Sequence, residues 1–461
     1  MRKIPSFLYR SSAISAPRPP MLGKLHQRSY SACQHDWIAC HQCGQIQRSA
    51  VCGRDKALVC SRCNHTLSFG QGPWRETSAA LAVTGLVLFV VSNCFVFLGL
   101  EVGAFYQEST LLSGVWALFA NDQLALATLV LVTIFLFPLF ELLALCYLVL
   151  PCYLNIRLPG QITIFRWFTK ASPWSMLEIF LLGVLVTSVK LGDMASIILG
   201  ISMVSFFVLV AVLGASYWFI DKDDLWAWLQ PNNCYVHSVG ERLYDCEICH
   251  ALVGEKIVVQ QGYCPRCDNR IYLRKPNSLQ KTFAYTLAAA LLYIPANLLP
   301  IMAMTSITGN REDTIYSGIV SLAAHGLWGI AAVVFIASLV VPMAKLFIML
   351  YLVWSVWRAD IRAMRERMWM FRVTEWVGRW SMVDVFVVTL LTGLVHFGFL
   401  GEIKPGAALL PFASVVVLTM LGAHAFDPRL IWDAKDAQEQ EFTAAMFVSK
   451  VKSVQSDAQR Y

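Results

Sequence analysis

Eight of the fourteen cysteines stand in four Cys-x-x-Cys pairs, and the pairs come two by two. The first set is Cys40, Cys43, Cys60 and Cys63, with sixteen residues between its pairs; the second is Cys246, Cys249, Cys264 and Cys267, with fourteen. Two knuckles at this separation can place four thiolates tetrahedrally around one ion. Zinc is the expected occupant, one structural ion per module, while iron in a rubredoxin-like site uses the same four ligands. Four thiolates leave no open position for a substrate, and His41 and His65 are not needed to complete the tetrahedron. A module of some thirty residues has little core, so the metal must supply much of its folding energy. The other cysteines (Cys33, Cys52, Cys94, Cys146, Cys152 and Cys234) have no such spacing and read as small buried or surface residues.

The second set of chemically capable residues is unusual for its surroundings. Glu141, Glu178, Lys345 and Asp384 lie inside long apolar runs, and Lys190 and Asp193 lie at the outer end of one. Ionisable groups inside a membrane are costly and are functional candidates by default. Lys345 and Asp384 offer a base and an acid on neighbouring helices and can form a buried ion pair. Ser338 precedes Lys345 by seven residues and Ser381 precedes Asp384 by three, so each shares a helical face with its charge. Thr419 can join them. The expected site is therefore a polar cluster of Ser338, Lys345, Ser381, Asp384 and Thr419. Glu141 and Glu178 form a two-acid counterpart that suits proton binding if they are close. The plainer alternative gives each acid its own hydroxyl or backbone partner, and reads Lys190 with Asp193 as an interface pair.

These residues must be positioned by membrane helices. Hydrophobic residues make up 57% of the 461, and charged residues only 15%, against about 25% in soluble domains. Apolar runs at 78–100, 124–150, 174–191, 195–220, 283–303, 326–353, 380–400 and 407–425 are long enough to cross about 30 Å of hydrocarbon. The expected fold is an all-α polytopic membrane protein of eight spanning helices. Pro138, Pro295, Pro300 and Pro342 are expected to kink or end helices, and Trp174, Trp218 and Trp380 to anchor them at the interface.

A repeat of about 205 residues divides the chain. The cysteine knuckles recur in order. Phe137-Pro138-x-x-Glu141 recurs as Val341-Pro342-x-x-Lys345, Trp174-Ser175-Met176-Leu177-Glu178 as Trp380-Ser381-Met382-Val383-Asp384, and Asp221 with Trp226 as Asp427 with Trp432. The expected domains are a disordered tail (1–34), ribbon one (35–72), a four-helix unit (73–225), ribbon two (226–278), a second four-helix unit (279–427) and a flexible polar tail (428–461). Within the first tail, Met1–Pro20 is rich in Arg, Ser and Pro and has no acid. It reads as disorder, or as sequence upstream of a start at Met21, rather than as a transit peptide, and no signal peptide is visible.

With four helices per unit, both ribbons face the same side. Only Arg311, Lys404, Lys190 and Lys345, of the 37 Lys and Arg, fall elsewhere in this assignment. The positive-inside rule then makes the ribbon side and both termini cytoplasmic, where a reducing compartment favours thiolate–metal sites over disulfides. The net charge of +7 reports this orientation rather than nucleic-acid binding. No G-x-x-x-x-G-K-[ST], H-E-x-x-H or G-x-S-x-G occurs. The chain reads as a non-enzyme without a nucleotide, and the proton gradient acting on the buried charges is the expected energy source.

Gly-Arg-Trp-Ser-Met-Val-Asp-Val-Phe at 378–386, Pro-Ala-Asn-Leu-Leu-Pro-Ile at 295–301, Phe-Asp-Pro-Arg-Leu-Ile-Trp-Asp at 426–433 and the stretch 176–191 resemble the paraquat-inducible protein A family over about 35–433. The lipophilic envelope-spanning tunnel protein A shares the layout. The resemblance implies the inner membrane of a Gram-negative bacterium. It also implies a periplasmic partner with MCE domains, often an outer-membrane lipoprotein, and movement of lipid, expected to be phospholipid, between the two membranes. Two alternatives stand beside it: a membrane redox protein with iron in the four-cysteine sites, and a passive anchor for the MCE partner.

Overall fold

The computed structural model describes residues 37–48, 57–69, 74–102, 105–192, 196–230, 243–306, 309–324, 326, 328–394 and 401–438. The expectations for 1–34, Cys33, Cys52, Cys234, Asp193 and 439–461, and for the side chain of Lys190, lie outside the described residues.

Ribbon one is two antiparallel hairpins, β1 (Trp37–Ala39) with β2 (Ile46–Arg48) and β3 (Ala57–Val59) with β4 (Thr66–Phe69). Unit one then runs through α1 (Trp74–Cys94), β5 (Leu98–Val102), β6 (Phe105–Ser109), α2 (Ser113–Ala120), α3 (Leu124–Leu131) and α4 (Phe137–Tyr153). It continues with α5 (Gln161–Ala171), α6 (Leu177–Gly192), β7 (Ser196–Leu199), α7 (Ile201–Phe219) and α8 (Lys222–Leu229). Ribbon two contains β8 (Leu243–Asp245), β9 (Leu252–Gly254) and α9 (Glu255–Gln260). Unit two repeats the plan with α10 (Ser278–Leu298), β10 (Met302–Ser306), β11 (Gly309–Asp313), α11 (Ile315–Ala324), α12 (Trp328–Phe335), α13 (Val341–Trp357), α14 (Met364–Gly378), α15 (Val383–Leu394), β12 (Gly401–Pro405) and α16 (Leu409–Ala425).

Among the described residues, six helical segments are long and apolar enough to span a bilayer: Trp74–Cys94, Leu124–Tyr153, Gln161–Ser188, Ile201–Phe219, Ile336–Trp357 and Leu409–Gln438. Helices α10 and α15 stand where the other two expected spans fall, but their described residues do not meet that test. This is a multi-pass membrane protein, mostly helical. The all-α expectation needs correction. The outer ends of the expected helices at 78–100, 195–220 and 283–303 are strands, and they build two matching sheets ordered β6-β5-β7 and β11-β10-β12. A continuous apolar run does not announce where a helix gives way to a strand.

Each unit has the same two irregularities. A π turn precedes each repeat proline, at Val132–Leu136 before Pro138 and Ile336–Val340 before Pro342. Proline lacks the N–H and its ring crowds the carbonyl four residues back, so the helix widens there. The later helix is broken by a 3-10 turn at Ser172–Trp174 in unit one and Arg379–Met382 in unit two. The units meet where α2 crosses α15: a Cβ on Gly114 would lie 2.5 Å from the Thr389 carbonyl oxygen, and one on Gly393 2.5 Å from the Gly114 Cα. Only glycine permits this approach. Phe180 packs edge-on against Phe386 across the same seam, 5.7 Å between centroids.

The ribbons are exchanged between units. Ribbon one packs on unit two: its four cysteines share a core with Met349, Leu352, Phe371, Phe426 and Trp432. Arg62 stacks over Trp432 at 4.5 Å and makes a bidentate pair with Asp436. Ribbon two packs on unit one, where Arg266 lies 5.9 Å over Trp226 and Arg166 Nη1 donates to the Asp268 carbonyl at 2.9 Å. Arg62 and Arg266 are each the residue before the last cysteine of their ribbon, so the two contacts are repeat-equivalent. Part of the tail expected to be flexible after 427 is ordered. Residues 430–438 are helical, and Asp433 accepts from Arg274 Nη2 at 2.6 Å while Arg429 donates to Glu247 at 3.2 Å. That segment ties both ribbons to the end of α16.

Candidate metal centres and a membrane-embedded polar site

Every knuckle has the same local form. In each, the first cysteine N–H donates to a carbonyl five residues on, and its own carbonyl accepts from the residue after the second cysteine. The pairs are Cys40–Gln45, Cys60–His65, Cys246–Ala251 and Cys264–Asn269 for the first bond, and Gly44, Asn64, His250 and Asp268 donate the second, at 2.7–3.1 Å throughout. Those four donors all have positive φ, from 52° to 74°, a conformation that Gly tolerates freely and Asn, Asp and His tolerate better than most residues. The residue after each pair is thus a second signature of the site.

In each ribbon the four Sγ atoms lie within 4.8 Å of one another and all four cysteines are buried. Cys40 Sγ is 3.5 Å from Cys63 Sγ and Cys43 Sγ 3.7 Å from Cys60 Sγ; in ribbon two both pairs are at 3.5 Å. A tetrahedral ion with bonds of about 2.3 Å needs sulfurs about 3.8 Å apart. The donor set therefore fits a metal ion, and the cysteines are free thiols rather than disulfides. Mutual hydrogen bonding among the thiols pushes Cys60 and Cys264 down and Cys43 and Cys249 up, since four crowded thiolates cannot all ionise without a cation.

The two centres face each other. Ala39, Ile46, Leu243 and Leu252 join the ribbons in one small core, and the His41 ring lies 4.6 Å from His65 and 5.0 Å from His250. Asp245, 5% exposed, is pushed up by burial against the opposing pull of His250, 3.6 Å away.

Inside the membrane the polar residues divide sharply. Glu141 is buried in α4, its carboxylate oxygens have no close hydrogen-bond partner among the described residues, and Ser175 is the nearby hydroxyl that acts on it. Glu178 opens α6 and is exposed, and it lies near enough to Glu141 to act on its charge. Lys345 is 3% exposed and its Nζ has no hydrogen-bond partner among the described residues. The expected Lys345–Asp384 ion pair is therefore not made. The lysine head instead runs against Gly378: a Cβ there would lie 2.6 Å from Nζ and 3.1 Å from Cε. The missing side chain is the space the ammonium occupies.

Ser338 sits in the π turn and Ser381 in the 3-10 turn, and these two turns pack together. Both hydroxyls are buried without a hydrogen-bond partner among the described residues, while Asp384 is engaged. Thr419 is buried on α16 and donates to the Val416 carbonyl at 2.9 Å.

A cavity of about 360 Å³ opens beside Lys345, between the 3-10 turn of unit one and α13, α14 and α16. Its walls include Ser172, Pro173, Arg372, Trp376 and His424. Trp174, expected as an interface anchor, stacks on His424 at 6.2 Å. Arg372 also reaches ribbon one, donating from Nη2 to the Cys63 carbonyl and Sγ, both at 3.1 Å, and from Nε to Gln42. Sequence reasoning missed Arg372, Gly378 and His424. A Gly shortly before the repeated Trp-Ser-Met was the available signal.

Fold and site together define a multi-pass membrane protein of two repeated units, each carrying a four-cysteine module. The family model described as paraquat-inducible protein A matches residues 76–230 and 279–436, and the chain belongs to that family. It is 35% identical over 423 residues to the intermembrane transport protein PqiA of Escherichia coli K12, covering 89% of this chain and 99% of that one. It is 31% identical over 408 residues to the lipophilic envelope-spanning tunnel protein A of the same organism (88% and 93%). A probable intermembrane transport protein of Haemophilus influenzae matches at 27% over 407 residues (87% and 97%). These relatives carry transport names rather than enzyme names. No solved structure matches the chain.

Proposed function

We propose that the protein is the inner-membrane subunit of an intermembrane lipid transport system. It passes phospholipid to or from a periplasmic MCE-domain partner, with an outer-membrane lipoprotein completing the path. Eight helices cross the membrane, α10 and α15 included, and the ribbon side is cytoplasmic. Each ribbon holds a structural zinc ion; the sulfur spacing supports a tetrahedral ion, and the metal's part is to hold the ribbons folded and docked. The relatives' names support intermembrane transport.

The observation that carries the reading is a set of buried polar groups without hydrogen-bond partners among the described residues, in repeat-related helices: Glu141, Ser338, Lys345 and Ser381. Leaving a buried donor or acceptor unmade costs about 1–3 kcal/mol, more when charged, and such a cost persists where function needs it. Lys345 and Asp384 couple transport to proton movement, with Glu141, Glu178 and Lys190 as the further polar members. The test is proton uptake by lipid-loaded proteoliposomes. Wild-type protein raises it and Asp384→Asn abolishes the rise; lipid transfer that ignores the pH gradient overturns the coupling.

A further inference from the structure

The two 3-10 breaks occupy matching positions in the repeat, and each contains the start of a Trp-Ser-Met triplet. Paired helix breaks in the two halves of a transporter mark binding sites, because backbone groups and helix ends are released there. Here the cavity opens at the unit-one break and reaches the helix that precedes the unit-two break. Ser172 and Pro173, from the break in unit one, form part of its wall, and so does α14, which ends at Gly378 immediately before the break in unit two.

The chemistry of the walls is one-sided. Lys345 Nζ is buried, has no hydrogen-bond partner among the described residues and is given room by Gly378. Arg372, a guanidinium fixed by three hydrogen bonds to ribbon one, lines the same space, as does His424. The single acid on the walls, Glu375, is exposed and already engaged. Trp376, Met420 and Pro173 supply apolar surface beside these donors. An ammonium on a flexible stem beside a fixed guanidinium is the combination that recognises a phosphate group, and a cavity of about 360 Å³ has the size of small-molecule sites.

We propose that this cavity binds a phosphate group, carried by a phospholipid headgroup, between Lys345 and Arg372. The inference rests on the lipid-transport reading and gives it a headgroup site. Because Arg372 is held by Cys63, ribbon one positions one of the two cations.

The test uses the full-length protein in phosphatidylcholine vesicles containing phosphorus-32-labelled phosphatidylglycerol, with benzoylphenylalanine at position 376 as the photoprobe. The expected result is label captured on the protein. Lys345→Met and Arg372→Gln each lower capture by about tenfold, the scale of one lost charge-assisted hydrogen bond, and Glu375→Gln raises it. Metal content of each variant, measured alongside, shows that the ribbons remain folded. Capture that is unchanged in both cation variants overturns the site. Competition with inorganic phosphate separates the sources: undiminished capture supports the headgroup, and full displacement at millimolar phosphate overturns the lipid assignment in favour of free phosphate. Lipid transfer measured in the same vesicles separates this proposal from the one it rests on. Transfer without capture removes the site, and capture without transfer removes the transport reading.

Discussion

Gly378→Ala isolates the position of one nitrogen atom. Gly378 ends α14 with φ −57° and ψ −32°, so alanine fits the backbone and gains about 1 kcal/mol of helix propensity. The added Cβ would meet Lys345 Nζ at 2.6 Å. The nitrogen must retreat by roughly 0.8 Å to reach ordinary contact, and it is the far end of a flexible chain, so the retreat is cheap for folding. The prediction is a split. Thermal unfolding in detergent shifts by the equivalent of no more than about 1 kcal/mol, while lipid transfer between vesicles falls about tenfold or more, because a displacement near 1 Å is enough to spoil a positioned group. Gly214→Ala in α7, whose Cβ would meet nothing within 4 Å, is the control and keeps full transfer. Wild-type transfer by Gly378→Ala would refute the claim that the glycine exists to seat the lysine.

The metal centres and the ribbon exchange give further outcomes. Protein purified at native expression level carries two zinc ions per chain and Cys246→Ser carries about one, by elemental analysis; iron with thiolate charge-transfer absorbance contradicts the structural-zinc account. Asp436→Asn breaks the bidentate bond to Arg62, a pair whose side chains are 13% (Arg62) and 9% (Asp436) exposed. It should lower stability by about 2 kcal/mol, between the surface and buried limits for ion pairs; a double-mutant cycle with Arg62→Ala that shows no coupling contradicts the contact. Deleting residues 1–72 should raise amide exchange in α14 and 426–436 while leaving α5 and α8 protected; the reverse pattern would place ribbon one on its own unit.

The multi-pass membrane class and the two four-cysteine clusters were legible because their signals are strong. An apolar run of about twenty residues matches the thickness of a bilayer and little else, and four paired knuckles fix their own geometry. The outer sheets were not legible, since Leu98–Val102 and Met302–Ser306 continue the hydrophobic runs that precede them. Nor was the exchange of ribbons. It depends on Arg62 reaching Trp432 and Arg266 reaching Trp226, contacts between residues that sequence order does not connect. The residue types of the polar cluster were readable from the burial cost of charge, but their pairing was not. Lys345 lies on α13 and Asp384 on α15, and the ammonium occupies the space left by Gly378. Glu178 illustrates the same limit: helical register placed it in an apolar run, and only the turn at Ser172–Trp174 decides that it faces outward.

The most direct measurement is phospholipid transfer from proteoliposomes containing Lys345→Ala. This variant is expected to be folded, to retain both metal ions and to transfer no lipid above protein-free vesicles. Transfer at the wild-type rate from the same preparation would contradict the central claim that the buried cation of unit two acts in transport.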